Sequence, residues 1–342
     1  MPRRKNAWSH RKRTWILVCV GCLLIFVPLI AARRAIFTTE KVLVKTWARQ
    51  QSDRLKAPPA SNGPEPTMGS KPVAAVPGQF TTQHFTDANG TTMTYFLYVP
   101  RNYDPSRRYP LMLILHGTGE RVLPDKTLAQ SQAHLLNQKY VQAFVASSVQ
   151  NQWPSFVVVP QIASPTARWV NVPGPTGSYH LQAKPATSLQ TAIDIVATVQ
   201  RAYAGVDQNR LYIGGISMGA YGVWDAIERW PSLFAAAAPI SGAGDPDHAN
   251  ALTQLPIWDF HGSADTSVPV DGSRQMYAAI QMAGGISCYT EFPGYNHDLW
   301  NTIDVYAQAT FQKWLFSQTK ASTSGTPVPT CTGKKIGGVP AK

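Results

Sequence analysis

The chain is poor in charge: 15% of its 342 residues are Asp, Glu, Lys or Arg, and only 19 are acidic. It has four cysteines, too few and too scattered for a disulfide-framework miniprotein. No His-Glu-x-x-His and no closely paired cysteines occur in the main body of the sequence, which removes the common zinc motifs; no cofactor or metal is expected. Internal repeats are absent, so a solenoid is excluded. The formal charge of +12 invites a nucleic-acid reading, but its distribution argues against one. Residues 1–71 hold 14 Lys and Arg against 3 Asp and Glu, whereas residues 72–342 hold 17 against 16. A basic groove tracking phosphates needs positive charge spread over the folded part. What is present is apolar: 44% hydrophobic residues, enough for a sizeable core.

The uncharged run at 14–32 follows Arg3, Arg4, Lys5, Arg11, Lys12 and Arg13 and ends at Arg33 and Arg34. As a helix it would be about 28 Å long, close to the hydrocarbon thickness of a bilayer. Residues 1–34 are therefore expected to form a basic segment and a membrane anchor, with a cleaved signal peptide as the alternative. The basic residues before the run imply that the rest of the chain lies outside the cytoplasm, anchored or secreted. Cys288 and Cys331 could then form a disulfide. Residues 35–79 read as a stalk and a Pro-rich spacer, with six prolines between 57 and 79. Residues 318–342, polar with little to bury, are expected to be a mobile tail. The folded unit is expected at 80–317.

Within that unit strand and helix patterns alternate. Residues 83–86 and 92–99 flank Asp87-Ala88-Asn89-Gly90, a hairpin signal. Continuous apolar runs follow at 111–115, 156–159, 211–213, 235–240 and 257–260, as in strands buried on both faces; 288–292 alternates. Helical periodicity marks 188–203 and 220–230. The order implies an α/β fold with a mostly parallel central sheet and helices on both faces.

Gly215-Ile216-Ser217-Met218-Gly219 stands between the strand at 211–213 and the helix at 220–230. A serine on so sharp a turn requires small residues two before and two after it, and the next helix aims its first N–H groups at charge developing beside it. Ser217 is the candidate nucleophile. A hydroxyl needs a base, and His297, in a late loop after 288–292, is the best placed. His116 and His261 each precede glycine at a strand end, where a hydrogen bond within the turn is the expected role. Asp265, after the strand at 257–260, is the candidate acid that fixes the imidazole, with Asp245 its rival and Asp259 structural. An oxyanion would need two N–H donors: Met218, directly after the nucleophile, and Thr118 in the loop His116-Gly117-Thr118-Gly119-Glu120, with Gly119 as fallback. Trp169 and Trp300 are candidate apolar walls of a substrate pocket, and Glu120 is expected to pair with an arginine.

Taken together, the segments at 113–121, 211–222, 258–270 and 293–301 resemble the esterase branch of the α/β-hydrolase superfamily. That branch holds feruloyl and acetylxylan esterases, polyhydroxybutyrate-depolymerase-like proteins and prolyl-oligopeptidase-like peptidases. The resemblance implies an α/β-hydrolase fold and a serine hydrolase acting through Ser217, Asp265 and His297 on a small or polymer-linked ester. Peptide hydrolysis and acyl transfer on the same fold are the alternatives, and a catalytically idle binding domain is the third. The Pro- and Gly-rich stretch at 163–185 departs from a compact version of the pattern.

Overall fold

A computed structural model describes residues 75–88, 90–171, 179–320 and 329–342. The run at 14–32, the stalk and most of the spacer lie outside the described residues, as does Asn89. Among the described residues, no helix is long and apolar enough to cross a membrane.

Eight strands form one sheet. They are β1 (Phe80–Thr86), β2 (Thr92–Tyr98), β3 (Tyr109–Leu115), β4 (Phe156–Gln161), β5 (Val206–Ile216), β6 (Ala236–Ile240), β7 (Trp258–Gly262) and β8 (Cys288–Phe292), in the order β1-β2-β4-β3-β5-β6-β7-β8. β1 and β2 pair antiparallel, as do β2 and β4; every later neighbour pair is parallel. Asp87 closes the first hairpin, its carboxylate accepting from the Thr91 N–H at 2.8 Å.

Parallel strands need crossovers, and helices supply them. On one face lie α4 (Thr187–Ala202), α5 (Met218–Arg229) and α6 (Asp271–Met282), which share one apolar core with Leu111, Leu113, Leu211 and Ile213. On the other lie α1 (Leu128–Leu136), α2 (Lys139–Val145), α3 (Ser147–Gln152) and α8 (Ala309–Ser317), packed on Met112, Ile114, Tyr212 and Ile216. Consecutive residues of β3 thus enter opposite cores, and all seven are buried. Each such Leu or Ile contributes about 1.5–3 kcal/mol by leaving water, which is why the central strands read as unbroken apolar runs. The short α7 (Leu299–Thr302) follows β8.

The C-terminal residues depart from the expectation of a mobile tail. Residues 329–342 are placed, with β9 (Lys335–Ile336) pairing antiparallel with β10 (Val339–Pro340). Cys331 is disulfide-bonded to Cys288 of β8, Ile336 is fully buried, and the Lys342 N–H donates to the Tyr289 carbonyl at 2.9 Å. β8 is a sheet edge with unpaired backbone groups. The crosslink, that backbone bond and the buried Ile336 and Ala341 hold a short polar hairpin against it.

Candidate active site

The C-terminal ends of β3, β5, β7 and β8 carry the candidate residues. Ser217 lies between β5 and α5 at φ 51° and ψ −120°, a backbone region that L residues seldom adopt. Its N–H is tied to the Ile240 carbonyl of β6 at 2.9 Å. The flanking glycines are sterically required. A Cβ on Gly219 would stand 1.9 Å from the Leu115 carbonyl oxygen, and one on Gly215 would stand 2.7 Å from the Gly219 backbone.

Ser217, His297 and Asp265 come together. His297 Nε2 is 2.8 Å from Ser217 Oγ, and its Nδ1 is 2.6 Å from Asp265 Oδ2. A carboxylate only accepts, so Nδ1 carries the proton and Nε2 is free to accept from the serine. The other oxygen of Asp265 accepts from the Ser267 and Val268 N–H groups, each at 2.8 Å. The side chain of Asp265 has no solvent exposure. Burial alone would raise its pKa, but hydrogen bonds from His261, His297 and the Val268 N–H outweigh it and hold the carboxyl well below its usual range.

The acid and base loops are laced together. Asn296 Oδ1 accepts from the Thr266 and His297 N–H groups at 3.0 and 2.8 Å, and the Ala264 N–H donates to the Tyr295 carbonyl at 2.9 Å. Gly262 permits this approach, since a Cβ there would stand 2.3 Å from the Tyr295 oxygen. The rival acid, Asp245, is occupied elsewhere: it accepts from Leu181 N–H at 2.7 Å and Asp247 N–H at 3.1 Å. Asp259 is buried in β7, where desolvation pushes its carboxyl up to about 6.

The loop after β3 has three successive carbonyls accepting from side chains. The Trp169 indole N–H donates to the His116 carbonyl at 2.9 Å, His116 Nδ1 lies 2.6 Å from the Gly117 carbonyl, and Arg121 Nε donates to the Thr118 carbonyl at 3.0 Å. The Ile162 N–H donates to His116 Nε2 at 3.1 Å, so His116 bears its proton on Nδ1. Burial pushes its pKa down to about 4, in keeping with a neutral ring. The Gly117 carbonyl and the Thr118 N–H belong to one planar trans peptide and point opposite ways. Fixing the carbonyl therefore aims the N–H of the expected donor. Met218 opens α5, and its N–H has no acceptor within the helix.

Two expectations are corrected here. Trp169 is fully buried and walls no pocket; it braces the His116 carbonyl from behind, where a large indole fills the space beside Gly222. Among the described residues Glu120 has no arginine partner, and Arg121 spends its guanidinium on the carbonyls of Thr118, Pro165 and Ala167. His134 Nε2 lies 4.0 Å from the Glu120 carboxyl, which burial raises. Trp300 is half-buried and meets the His297 ring edge-on, with centroids 5.1 Å apart. The sequence does not single out the contacts that His116, His261 and Asn296 make around the candidate residues. The His-Gly pairs at two strand ends, and an Asn beside the candidate base, are the signals that mark them. Among the described residues no group of three or more His, Cys, Asp or Glu is placed to hold a metal ion.

Comparison with known proteins gives the family. Residues 86–322 match the family model "Esterase", and the chain belongs to that family. Its fold and family define a serine hydrolase of the α/β-hydrolase type. A thermostable esterase of known structure is 33% identical with a TM-score of 0.61, over 70% of this chain and 63% of that one. The acylaminoacyl peptidase of Pyrococcus horikoshii, 15% identical with a TM-score of 0.51 over 73% of this chain and 44% of that one, shares the fold. Among curated proteins, the bifunctional acetylxylan esterase/xylanase XynS20E of Neocallimastix patriciarum is 27% identical over 49% of this chain and 21% of its own length. An uncharacterized secreted protein of Arthroderma benhamiae is 28% identical over 25% of this chain and 12% of its own. The chain thus spans about a fifth or less of the curated relatives it matches.

Proposed function

We propose that the protein hydrolyses carboxylic esters through an acyl-enzyme on Ser217. The observation that carries this reading is the unbroken relay from Ser217 Oγ through His297 to Asp265. His297 Nε2 takes the serine proton as Oγ attacks the ester carbonyl, and the Asp265 carboxylate stabilises the imidazolium. The Thr118 and Met218 N–H groups receive the oxyanion. His297 then protonates the leaving alcohol, and the sequence repeats with water to release the acid. Trp300, edge-on to His297, bounds the side where the leaving group departs.

The substrate class we favour is an acyl group carried on a polymer, as the name of the acetylxylan esterase relative suggests. An oxidising compartment outside the cytoplasm suits the Cys288–Cys331 disulfide, and the run at 14–32 would be the anchor or signal that delivers the chain there. Steady-state rates on p-nitrophenyl acetate, acetylated xylan and a matched amide test the reading. Ester turnover exceeding amide turnover by orders of magnitude, and lost in Ser217→Ala, is expected. An amide preference would overturn the ester assignment, and an active Ser217→Ala variant would overturn the mechanism.

A further inference from the structure

His261 looks like a bystander in sequence, yet it is fully buried and touches the acid of the proposed triad. Its Nε2 lies 3.2 Å from Asp265 Oδ2 and 3.1 Å from the Val268 carbonyl. Both neighbours only accept, so Nε2 must carry a proton and share it between them. Its Nδ1 lies 2.7 Å from Ser273 Oγ of α6, which then donates to it. The ring is thus held in one tautomer from both sides, by a helix and by a loop. Asp265 Oδ2 receives two imidazole donors, His297 from the loop after β8 and His261 from the end of β7.

We propose that His261 is a positioning residue: by donating to Asp265 Oδ2 it sets where that oxygen points and how strongly it holds the His297 imidazole. The inference rests on the triad reading above. A carboxylate oxygen with a second donor is a weaker base toward the first. Without His261, Oδ2 would hold the proton of the Asp265–His297 pair more tightly, and the pair would titrate at higher pH. The acid limb of the kcat/KM profile would move up. The charged and titratable groups around the ring are Asp265, His297 beyond it, and Asp259 two residues earlier on β7, for which His261 is an opposing influence to burial. α6 contributes the neutral Ser273.

The test compares His261→Phe, which keeps a ring and loses the donor, with His261→Gln, whose amide N–H can stand near Nε2. Both face the same Asp259 and both take the Nδ1 acceptor from Ser273, so what separates them is the contact to Asp265. For the full-length protein on p-nitrophenyl acetate, His261→Phe is expected to lower kcat on the order of tenfold at unchanged KM. Its acid limb should rise by about one pH unit, and His261→Gln should return the limb towards wild type. If His261→Phe does not fold, His261→Asn, too short to reach Asp265, takes its place against His261→Gln. A donor-less variant with the wild-type limb, or Phe and Gln variants with the same limb, would overturn the inference. Ser217→Ala, assayed alongside, separates the two readings. If it still turns over, the triad falls and His261 with it; if it is dead while the limb stays put, only the role of His261 falls.

Discussion

The ends of β3 and β7 read alike and work differently. His-Gly follows β3 directly and forms the last two residues of β7, and each histidine is fully buried. His116 faces neutral groups, the Gly117 carbonyl and the Ile162 N–H, and so keeps its proton on Nδ1. His261 faces a carboxylate and a carbonyl and keeps its proton on Nε2. The same dipeptide therefore orients a peptide on one side of Ser217 and a carboxylate on the other. What decides the role is the partner that the fold brings to the ring, the distant Ile162 N–H for His116 and the Asp265 carboxylate, four residues on, for His261.

Substitutions can sharpen that contrast. The largest effect belongs to the groups both loops serve: His297→Ala or Asp265→Asn is expected to lower kcat by about 10⁴-fold or more, measured by steady-state ester hydrolysis. The oxyanion side comes next. His116→Phe frees the Gly117–Thr118 peptide and should lower kcat by about 10²-fold with a smaller change in KM, the signature of a donor used in the transition state. A similar loss from both histidines, with the same movement of the acid limb, would erase the distinction between them.

A pH effect on stability separates them further. The folded-state pKa of His116 is depressed to about 4 by burial, so between its ordinary value of about 6.5 and 4 only the unfolded chain takes up its proton. Stability should fall over that window as the pH drops, by up to about 3 kcal/mol, and His116→Phe should flatten the slope in urea melts. Asp265 has the same sign at lower pH. Its depressed carboxyl stabilises the fold above the ordinary carboxylate range, and that contribution is lost as the pH falls through the folded value. The smallest effect on catalysis is expected at the edge of the sheet. Cys331→Ser should reduce stability by about 2–4 kcal/mol in a denaturant melt while changing kcat little, because the crosslink braces β8 and stands apart from the loops that follow β3 and β7.

How much of this was legible in the sequence follows from range. The buried strands announced themselves because two-sided burial leaves an unbroken apolar run, as at 111–115, and Ser217 did because its turn demands glycine on both sides. The helices Lys139–Val145 and Ser147–Gln152 did not, being too short to show a period. Trp169, inside the Pro- and Gly-rich stretch at 163–185, read as a candidate pocket wall; only the folded chain places the His116 carbonyl against its indole N–H. The C-terminal hairpin was hidden by its polar composition, since one disulfide and little apolar burial, at Ile336 and Ala341, hold it.

The most direct measurement is adduct mapping by mass spectrometry after brief exposure to a fluorophosphonate. A single phosphonyl group on Ser217 is expected, forming far more slowly in His297→Ala and absent from Ser217→Ala. An adduct on another residue, or unchanged labelling without His297, would contradict the account.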